Sequence, residues 1–285
     1  MSPNFNMAVI GLNRLVDRSL PLPGAKGWIS AEEDRRVSRL SYLSFSVYSR
    51  HAKGTIEEYL TKAEALGIEE VCFTEHTSRQ YLTEEAKARI PYVWMQDHEL
   101  SLYLEDLAEA ATKTPLRLKR GLEVDYFVGF EDALRDFLKE WPLDFVMGTI
   151  HFLPAYDMRY VTLVEDAPAN LLLEYFGYAK QAVETGLFDS LAHIHLPWQA
   201  VPWPKGDLEK EVLQSLAEVV AAAKVQDMCL EINTRAFNFE GHGTLGLYQN
   251  FLGMLADYDV PITMGSDAHS PQEIGRNYPA IIKEL

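Results

Sequence analysis

The 285-residue sequence contains only two cysteines and few basic residues for its length. Cys72 and Cys229 both lie in predicted strands, where a buried thiol is common, so a disulfide framework is not expected. Lys and Arg number 26 against 42 Asp and Glu, which gives a formal net charge of −16. This balance offers no basic surface to a nucleic-acid backbone, so we expect no nucleic-acid partner. The cysteine usage fits a reducing compartment, and we predict a cytoplasmic protein.

Long apolar segments are also missing. The first apolar run, residues 7–12, is soon interrupted by Asn13 and Arg14, so it predicts neither a signal peptide nor a membrane span. No glycine-rich phosphate loop is present, and no base and orienting acid can be assigned to a nucleophile such as Ser266. These absences direct attention to metal-assisted chemistry.

Strand patterns alternate with helical patterns along the chain. A hydrophobic content of 47% is sufficient for one barrel-sized domain. Strands are predicted near residues 41–49, 71–74, 116–122, 145–150, 187–192, 228–232 and 260–264. Helices are predicted near residues 55–66, 95–111, 130–141, 170–185, 207–224 and 245–257, the first opened by a capping box at Thr55. The alternation predicts an α/β fold with a parallel sheet, preceded by an irregular extension over residues 1–40.

Residues that can bind metals follow most of the predicted strands. In residues 262–269, a buried strand turns at Gly265 and leads directly to Asp267 and His269. The other such residues are His51, His76, Glu123, His151 and His193. Any one of them alone is more often an ordinary polar loop residue. A closed barrel brings all its carboxyl strand ends to one face, and imidazoles with carboxylates suit zinc, manganese or iron. We therefore predict a site for more than one metal.

Several neighbouring metals stabilise the charge of an in-line displacement at phosphorus, so hydrolysis of a small phosphorylated substrate is the leading chemistry. Bound cations also reconcile an acidic protein with an anionic substrate. Asn233 and Arg235 follow the sixth strand, and we expect them to bind the substrate. The predicted catalytic residues are Glu123, Asp267 and His269, of which Asp267 or His269 would supply the leaving-group proton.

The ordered motifs resemble those of the polymerase and histidinol phosphatase (PHP) superfamily, and most of all its bacterial histidinol-phosphate phosphatases. The matching runs are Arg50-His51-Ala52-Lys53-Gly54, Phe73-Thr74-Glu75-His76, Gly121-Leu122-Glu123, Gly148-Thr149-Ile150-His151, Ala192-His193, Ile232-Asn233-Thr234 and Gly265-Ser266-Asp267-Ala268-His269. The resemblance covers residues 41–285. It implies a distorted seven-stranded, TIM-like β/α barrel with two or three divalent metals (Zn, Mn or Fe). The implied reaction converts L-histidinol phosphate to L-histidinol and phosphate in histidine biosynthesis.

The resemblance also implies a distribution of ligands among the metals. It places His51, His76 and His269 on one metal, and Glu123, His151 and His193 on a second. Glu123 and Asp267 would share a third.

The chain departs from the family at that third metal. The family's opening His-x-His pair falls on Leu43 and Phe45, neither of which binds a metal, and position 195 is His where related sequences often carry Asp. Three interpretations stay open: a two-metal phosphatase, a catalytically impaired metal-binding barrel, or a phosphoesterase for a nucleotide or another phosphoester. A wrong start or a frameshift before residue 48 would also explain the altered first strand. The sequence leaves the oligomeric state open.

Overall fold

A computed structural model of the chain describes residues 40–43, 48, 50, 52–90, 95–164, 168, 170–199, 201, 203–235 and 244–284. For residues 40–43, 199, 244–248 and 282–284 it describes the backbone alone. Within these ranges a parallel sheet is surrounded by helices. The strands of this sheet are β1 (Leu40–Leu43), β2 (Glu70–His76), β3 (Arg117–Asp125), β4 (Phe145–Thr149), β7 (Ser190–Leu191), β8 (Cys229–Asn233) and β9 (Ile262–Gly265).

These strands are hydrogen-bonded in the order β1-β2-β3-β4-β7-β8-β9, and all pair in parallel. Among the described residues, the pairing of Tyr42 with Gly265 joins β9 back to β1 and closes the sheet. The in-register pair His76 and Glu123 joins the carboxyl ends of β2 and β3. The carboxyl ends of all these strands lie at the same edge of the sheet.

Helices return the chain from each strand to the next. They are α1 (Ile56–Ala65), α2 (Glu84–Ala88), α3 (Glu99–Ala111), α4 (Glu131–Lys139), α5 (Leu171–Glu184), α6 (Asp207–Gln226), α7 (Thr244–Asp257) and α8 (Tyr278–Glu284). The predicted capping box is confirmed: the Thr55 side chain accepts from the Glu58 N–H, and the Glu58 carboxylate accepts from the Thr55 N–H. No helix in the described ranges is long and apolar enough to cross a membrane.

The core divides between the two faces of the sheet because side chains alternate along each strand. On β2, Phe73 packs edge-to-face against Tyr59 of α1, whereas its neighbour Cys72 belongs to a separate small apolar cluster with Phe145, Met147 and Ala192. The Tyr103 hydroxyl of α3 donates to the carbonyl oxygens of Phe73 and Gly121. Alternation therefore gives each strand one set of residues for the helices and another for the interior, where the polar strand ends collect.

The predicted α/β class with a curled parallel sheet is confirmed, but several predicted strand limits are wrong. Strands β2 and β3 continue to His76 and Asp125, because ladder bonds extend the pairing past the apolar runs. The fifth predicted strand shrinks to Ser190–Leu191, where only two residues pair with β4. The first strand is described over Leu40–Leu43 and Tyr48 lies in a turn, while residues 44–47, Phe45 among them, fall outside the described residues.

A short antiparallel hairpin was not predicted. It consists of β5 (Phe152–Leu153) and β6 (Arg159–Tyr160) and follows directly after His151. Asp157 and Met158 adopt left-handed backbone conformations in its turn. The hairpin is anchored by a hydrogen bond from the Val161 N–H to the His151 carbonyl oxygen, 2.7 Å long, so it covers the carboxyl end of β4.

Candidate metal centre

Four buried side chains from neighbouring strands meet at the carboxyl edge of the sheet: His76, Glu123, His151 and His193, which we call the His-Glu cluster. Three of them, His76, Glu123 and His151, each offer one ligand atom, and these atoms all lie within 4.8 Å of one another. The His76 and His151 rings are 5.1 Å apart between centroids, and those of His151 and His193 are 5.0 Å apart. Within the described residues, His76, Glu123 and His151 are the group with the spacing that one cation requires.

The two carboxylate oxygens of Glu123 face different histidines. Oε1 lies 2.9 Å from His193 Nε2 and 3.4 Å from His151 Nε2. Oε2 lies 3.8 Å from His76 Nδ1. A carboxylate with one oxygen toward each set of imidazoles has the geometry to bridge two cations.

Charge at the His-Glu cluster is organised by Glu123. Burial by itself would lower the pKa of His193, but the hydrogen bond and negative charge of Glu123 raise it to about 9. A metal must displace that proton, because a histidine ligand binds through a neutral ring nitrogen. The donor set therefore fits a divalent cation, which would replace the proton that balances the carboxylate.

Asp125 orients one ligand of the cluster. It lies two residues after Glu123 on β3, so both side chains point to the same face, and its Oδ1 is 2.8 Å from His151 Nδ1. That hydrogen bond fixes the proton on Nδ1 and turns Nε2 toward Glu123, the arrangement that commonly supports a metal-binding histidine. The spacing Glu-x-Asp on a strand was the sequence signal for this role.

A second group, which we call the Asp267 group, comprises Asn233, Arg235, Asp267 and His269. Arg235 Nη1 lies 3.5 Å from Asp267 Oδ2 and 3.3 Å from His269 Nδ1, and the Arg235 side chain is 39% exposed. Asn233 Nδ2 lies 3.4 Å from Asp267 Oδ2. Burial tends to raise the pKa of Asp267, but the nearby His269 and Arg235 charges hold it well below its usual range. Asp267 is therefore ionised at neutral pH.

The backbone of the Asp267 group is clamped by two residues beyond it, Glu273 and Arg276. Asp267 itself has a left-handed backbone with φ of 45°, which is unfavourable for a residue with a side chain. Arg276 donates to the carbonyl oxygens of Ser266 and Asp267, at 3.0 and 2.8 Å, and Glu273 accepts from the His269 N–H at 2.6 Å. These contacts stabilise the turn. They depend on the conformation of the loop, so the sequence pattern did not predict them.

Two further aromatic side chains border the centre. The Tyr160 ring from the hairpin stacks on His151 with centroids 5.1 Å apart. His195 is buried beside Trp198, and burial together with the positive charges of His193 and Arg235 lowers its pKa to about 3. His195 is therefore neutral at physiological pH.

The structure thus brings most of the predicted site residues to one edge of the sheet, in two groups. His76, Glu123, His151 and His193 form the first, and Asn233, Arg235, Asp267 and His269 form the second. His51, the remaining predicted ligand, lies outside the described residues. The assignment of each ligand to a particular metal stays a prediction.

A family model, described as the PHP domain, matches residues 44–235, which is more than half of the chain. The chain belongs to the PHP-domain family. All four residues of the His-Glu cluster fall within the matched part of this PHP domain, whereas Asp267 and His269 lie beyond it.

Individual relatives agree with this family membership. The chain is 29% identical over 250 residues to the "Probable histidinol-phosphatase" of Deinococcus radiodurans, covering 82% of this chain and 88% of the relative. It is 24% identical over 241 residues to the "Histidinol-phosphatase" of Lactococcus lactis, covering 82% and 85%. A crystal structure of the Lactococcus lactis enzyme, complexed with zinc, L-histidinol and phosphate, superposes with a TM-score of 0.68. That match is 23% identical and covers 86% of this chain and 93% of the other. At this identity, the structural match shows the fold.

Proposed function

We propose that this PHP-domain protein is a metal-dependent phosphoric monoester hydrolase that converts L-histidinol phosphate to L-histidinol and phosphate, in histidine biosynthesis. The observation that carries the proposal is the buried His-Glu cluster at the carboxyl edge of a parallel sheet. The substrate rests on the relatives, which are named histidinol-phosphatase, and on the Lactococcus lactis structure with L-histidinol and phosphate. We also propose that residues 41–285 form a distorted seven-stranded barrel. We propose a cytoplasmic location for the protein.

The proposal includes two or three divalent cations, with zinc, manganese and iron as the metals that suit these ligands. His76, Glu123, His151 and His193 would hold them, together with His51, Asp267 and His269. Such cations act as Lewis acids, lower the pKa of bound water and neutralise phosphate charge. Asp125 keeps His151 in the tautomer that this binding needs.

The Asp267 group supplies the other functions in this proposal. Arg235, partly exposed beside Asp267, provides a cation for the substrate phosphate, and Asn233 provides a hydrogen-bond donor. An ionised Asp267 has no proton to give near neutral pH. Of the two predicted proton donors this leaves His269, whose Nδ1 faces Arg235 and the Asp267 carbonyl oxygen, and it would serve as the acid only where it is not a metal ligand.

One observation favours a second candidate, a metal-binding barrel with impaired catalysis. By the resemblance described above, Leu43 and Phe45 fall at the positions of the family's His-x-His pair, which would remove two ligands. Loss of metal ligands commonly reduces affinity and turnover. A phosphoesterase acting on a nucleotide or another phosphoester would use the same cluster.

The test measures phosphate release from L-histidinol phosphate by metal-stripped protein resupplied with manganese or zinc. A Leu43→His, Phe45→His double variant is assayed beside it. Turnover by the parent that a chelator abolishes supports the proposed function. Turnover by the double variant alone supports the impaired barrel. If both proteins bind metal, leave L-histidinol phosphate intact and hydrolyse a nucleotide, the proposed substrate is wrong.

A further inference from the structure

Glu231 is a buried acid that has no part in the chemistry proposed above. It lies on β8, is 4% exposed and points to the same face as Asn233, two residues later. Among the described residues its hydrogen-bond donors are neutral amides, and no Lys or Arg pairs with it. Burial of a carboxyl group is costly unless hydrogen bonds and a nearby positive charge, here that of His193, compensate it.

The contacts of Glu231 connect the two groups of the metal centre. Its Oε2 accepts from the backbone N–H of His193 at 2.7 Å and from Asn233 Nδ2 at 3.2 Å. Asn233 Nδ2 in turn lies 3.4 Å from Asp267 Oδ2. The His-Glu cluster on one side and the Asp267 group on the other are therefore joined through this one carboxylate.

The backbone of His193 has an unfavourable conformation that a hydrogen bond can stabilise. Its φ of 24° lies in the left-handed region, which is unfavourable for a residue with a Cβ atom. The bend follows immediately after the short strand β7 and directs His193 Nε2 to within 2.9 Å of Glu123 Oε1. A hydrogen bond to the N–H of this residue stabilises the bend that presents the ligand.

Gly265 provides the space for the Glu231 carboxylate. A Cβ atom at position 265 would lie 1.9 Å from Glu231 Oε1 and 3.0 Å from its Cδ, and the three atoms nearest to it would all belong to Glu231. Residues 233 and 265 are paired in the sheet, so β8 and β9 are fitted to each other around this side chain. The Glu231 carboxylate therefore occupies the space that a side chain at position 265 would take.

We propose that Glu231 is a positioning residue that holds the His193 backbone and the Asn233 amide, so that both groups of the metal centre keep one arrangement. The inference rests on the proposed function only in requiring that the centre binds metal. Glu231 touches neither metal nor substrate in this role. It acts through His193 and Asn233.

Three variants test the role: Glu231→Ala, Glu231→Gln and the double variant Glu231→Ala, Gly265→Ala. Glutamine keeps an acceptor oxygen for both donors, and the alanine at 265 fills the space that a shortened side chain leaves. The matched control is Glu70→Ala, which removes a buried glutamate that pairs with Arg117 at the amino end of β2. Zinc affinity of metal-stripped protein is measured by competition with a chromophoric chelator, and unfolding midpoints are recorded without metal.

We expect Glu231→Ala to weaken zinc binding by about 10- to 100-fold, as loss of an outer partner of a metal ligand commonly does. Glu231→Gln should bind zinc nearly as well as the parent. The double variant should recover the unfolding midpoint but not the zinc affinity, and Glu70→Ala should lose stability with zinc affinity unchanged.

Zinc affinity of Glu231→Ala equal to that of the parent overturns the proposal. So does recovery of both properties in the double variant, because Glu231 would then only fill space. A parent that binds zinc but releases no phosphate from L-histidinol phosphate contradicts the proposed function and leaves the Glu231 comparison valid. A parent that binds no zinc, manganese or iron overturns both.

Discussion

Asp125 shows how a residue outside the predicted ligand set controls one inside it. Its carboxylate takes the Nδ1 side of His151, which leaves Nε2 for the cluster. We expect Asp125→Ala to reduce zinc affinity and turnover by about 10- to 100-fold, because the ring loses its fixed tautomer and orientation. Chelator competition and phosphate-release assays measure the two effects. Equal zinc affinity in parent and variant would contradict this role.

The Asp144 ion pair predicts a pH dependence of stability away from the metal centre. Asp144 accepts two hydrogen bonds from the Arg120 guanidinium, at 3.0 and 3.2 Å, and one from the Arg120 backbone N–H. Burial tends to raise the pKa of Asp144, but these Arg120 contacts lower it below its usual value. A depressed folded-state pKa gives stability that is present above the unfolded-state pKa near 3.8 and is lost as pH falls below it.

We therefore expect Asp144→Asn to lower the free energy of unfolding at pH 7 by about 1.5–3 kcal/mol, the range for hydrogen bonds to charged groups. The difference from the parent should shrink as pH falls below the unfolded-state pKa near 3.8. Urea denaturation at several pH values measures it. The control is Asp132→Asn, which removes an exposed partner of Arg135 on α4 and should change stability little at any pH. A pH-independent loss in Asp144→Asn would show that packing, not charge, is responsible.

At the scale of elements, alanine substitutions at two glycines distinguish the effect of close packing in a strand from the effect of helix propensity. A Cβ atom at Gly148 on β4 would lie 2.6 Å from the Phe188 ring, whereas one at Gly177 in α5 would meet nothing within 4 Å. We expect Gly148→Ala to destabilise the protein by about 1–3 kcal/mol through overpacking. Gly177→Ala should stabilise it by about 0.5–1 kcal/mol. Chemical denaturation of both variants checks the opposite signs, and equal effects would mean that Phe188 moves away freely.

The helices and strands were predictable to different degrees, for physical reasons. The capping box at Thr55 and the amphipathic runs are local signals, so α1, α5 and α6 lie close to their predicted limits. Strand ends depend on the neighbouring strand. Pairing with β3 and β4 carries β2 to His76 and β3 to Asp125, past the apolar residues that marked them in sequence.

In the candidate site, too, the residues marked by local sequence patterns were predicted, and those that act through distant contacts were not. Histidines and acids after predicted strands identified the His-Glu cluster, because parallel strands must bring their carboxyl ends together. Glu231, Glu273 and Arg276 were not identified, since each acts by a hydrogen bond to the backbone of a residue far away in sequence or across a turn. A lone strand glutamate looks the same in sequence whether it faces solvent or a neighbouring backbone.

At the scale of the whole molecule, the formal charge of −16 and the buried acids at the sheet edge both favour cation binding. In the metal-free protein, proton binding at His193 offsets part of the Glu123 charge, and its folded-state pKa of about 9 exceeds the ordinary value of 6.5. That contribution to stability is fully present below pH 6.5 and is lost as pH rises through 9. A bound cation takes over the same role without the proton.

Metal removal should therefore destabilise the protein more at high pH than at low pH. We expect chelator-treated protein to unfold at a lower temperature, and zinc at 100 times its dissociation constant to add about 2.7 kcal/mol of stability. Because binding displaces the His193 proton, zinc affinity should rise with pH between 6.5 and 9. Thermal unfolding with and without zinc across this range measures both effects. Calcium, which prefers oxygen ligands, is the control and should stabilise little. If zinc and calcium stabilise equally, the histidines are not the ligands.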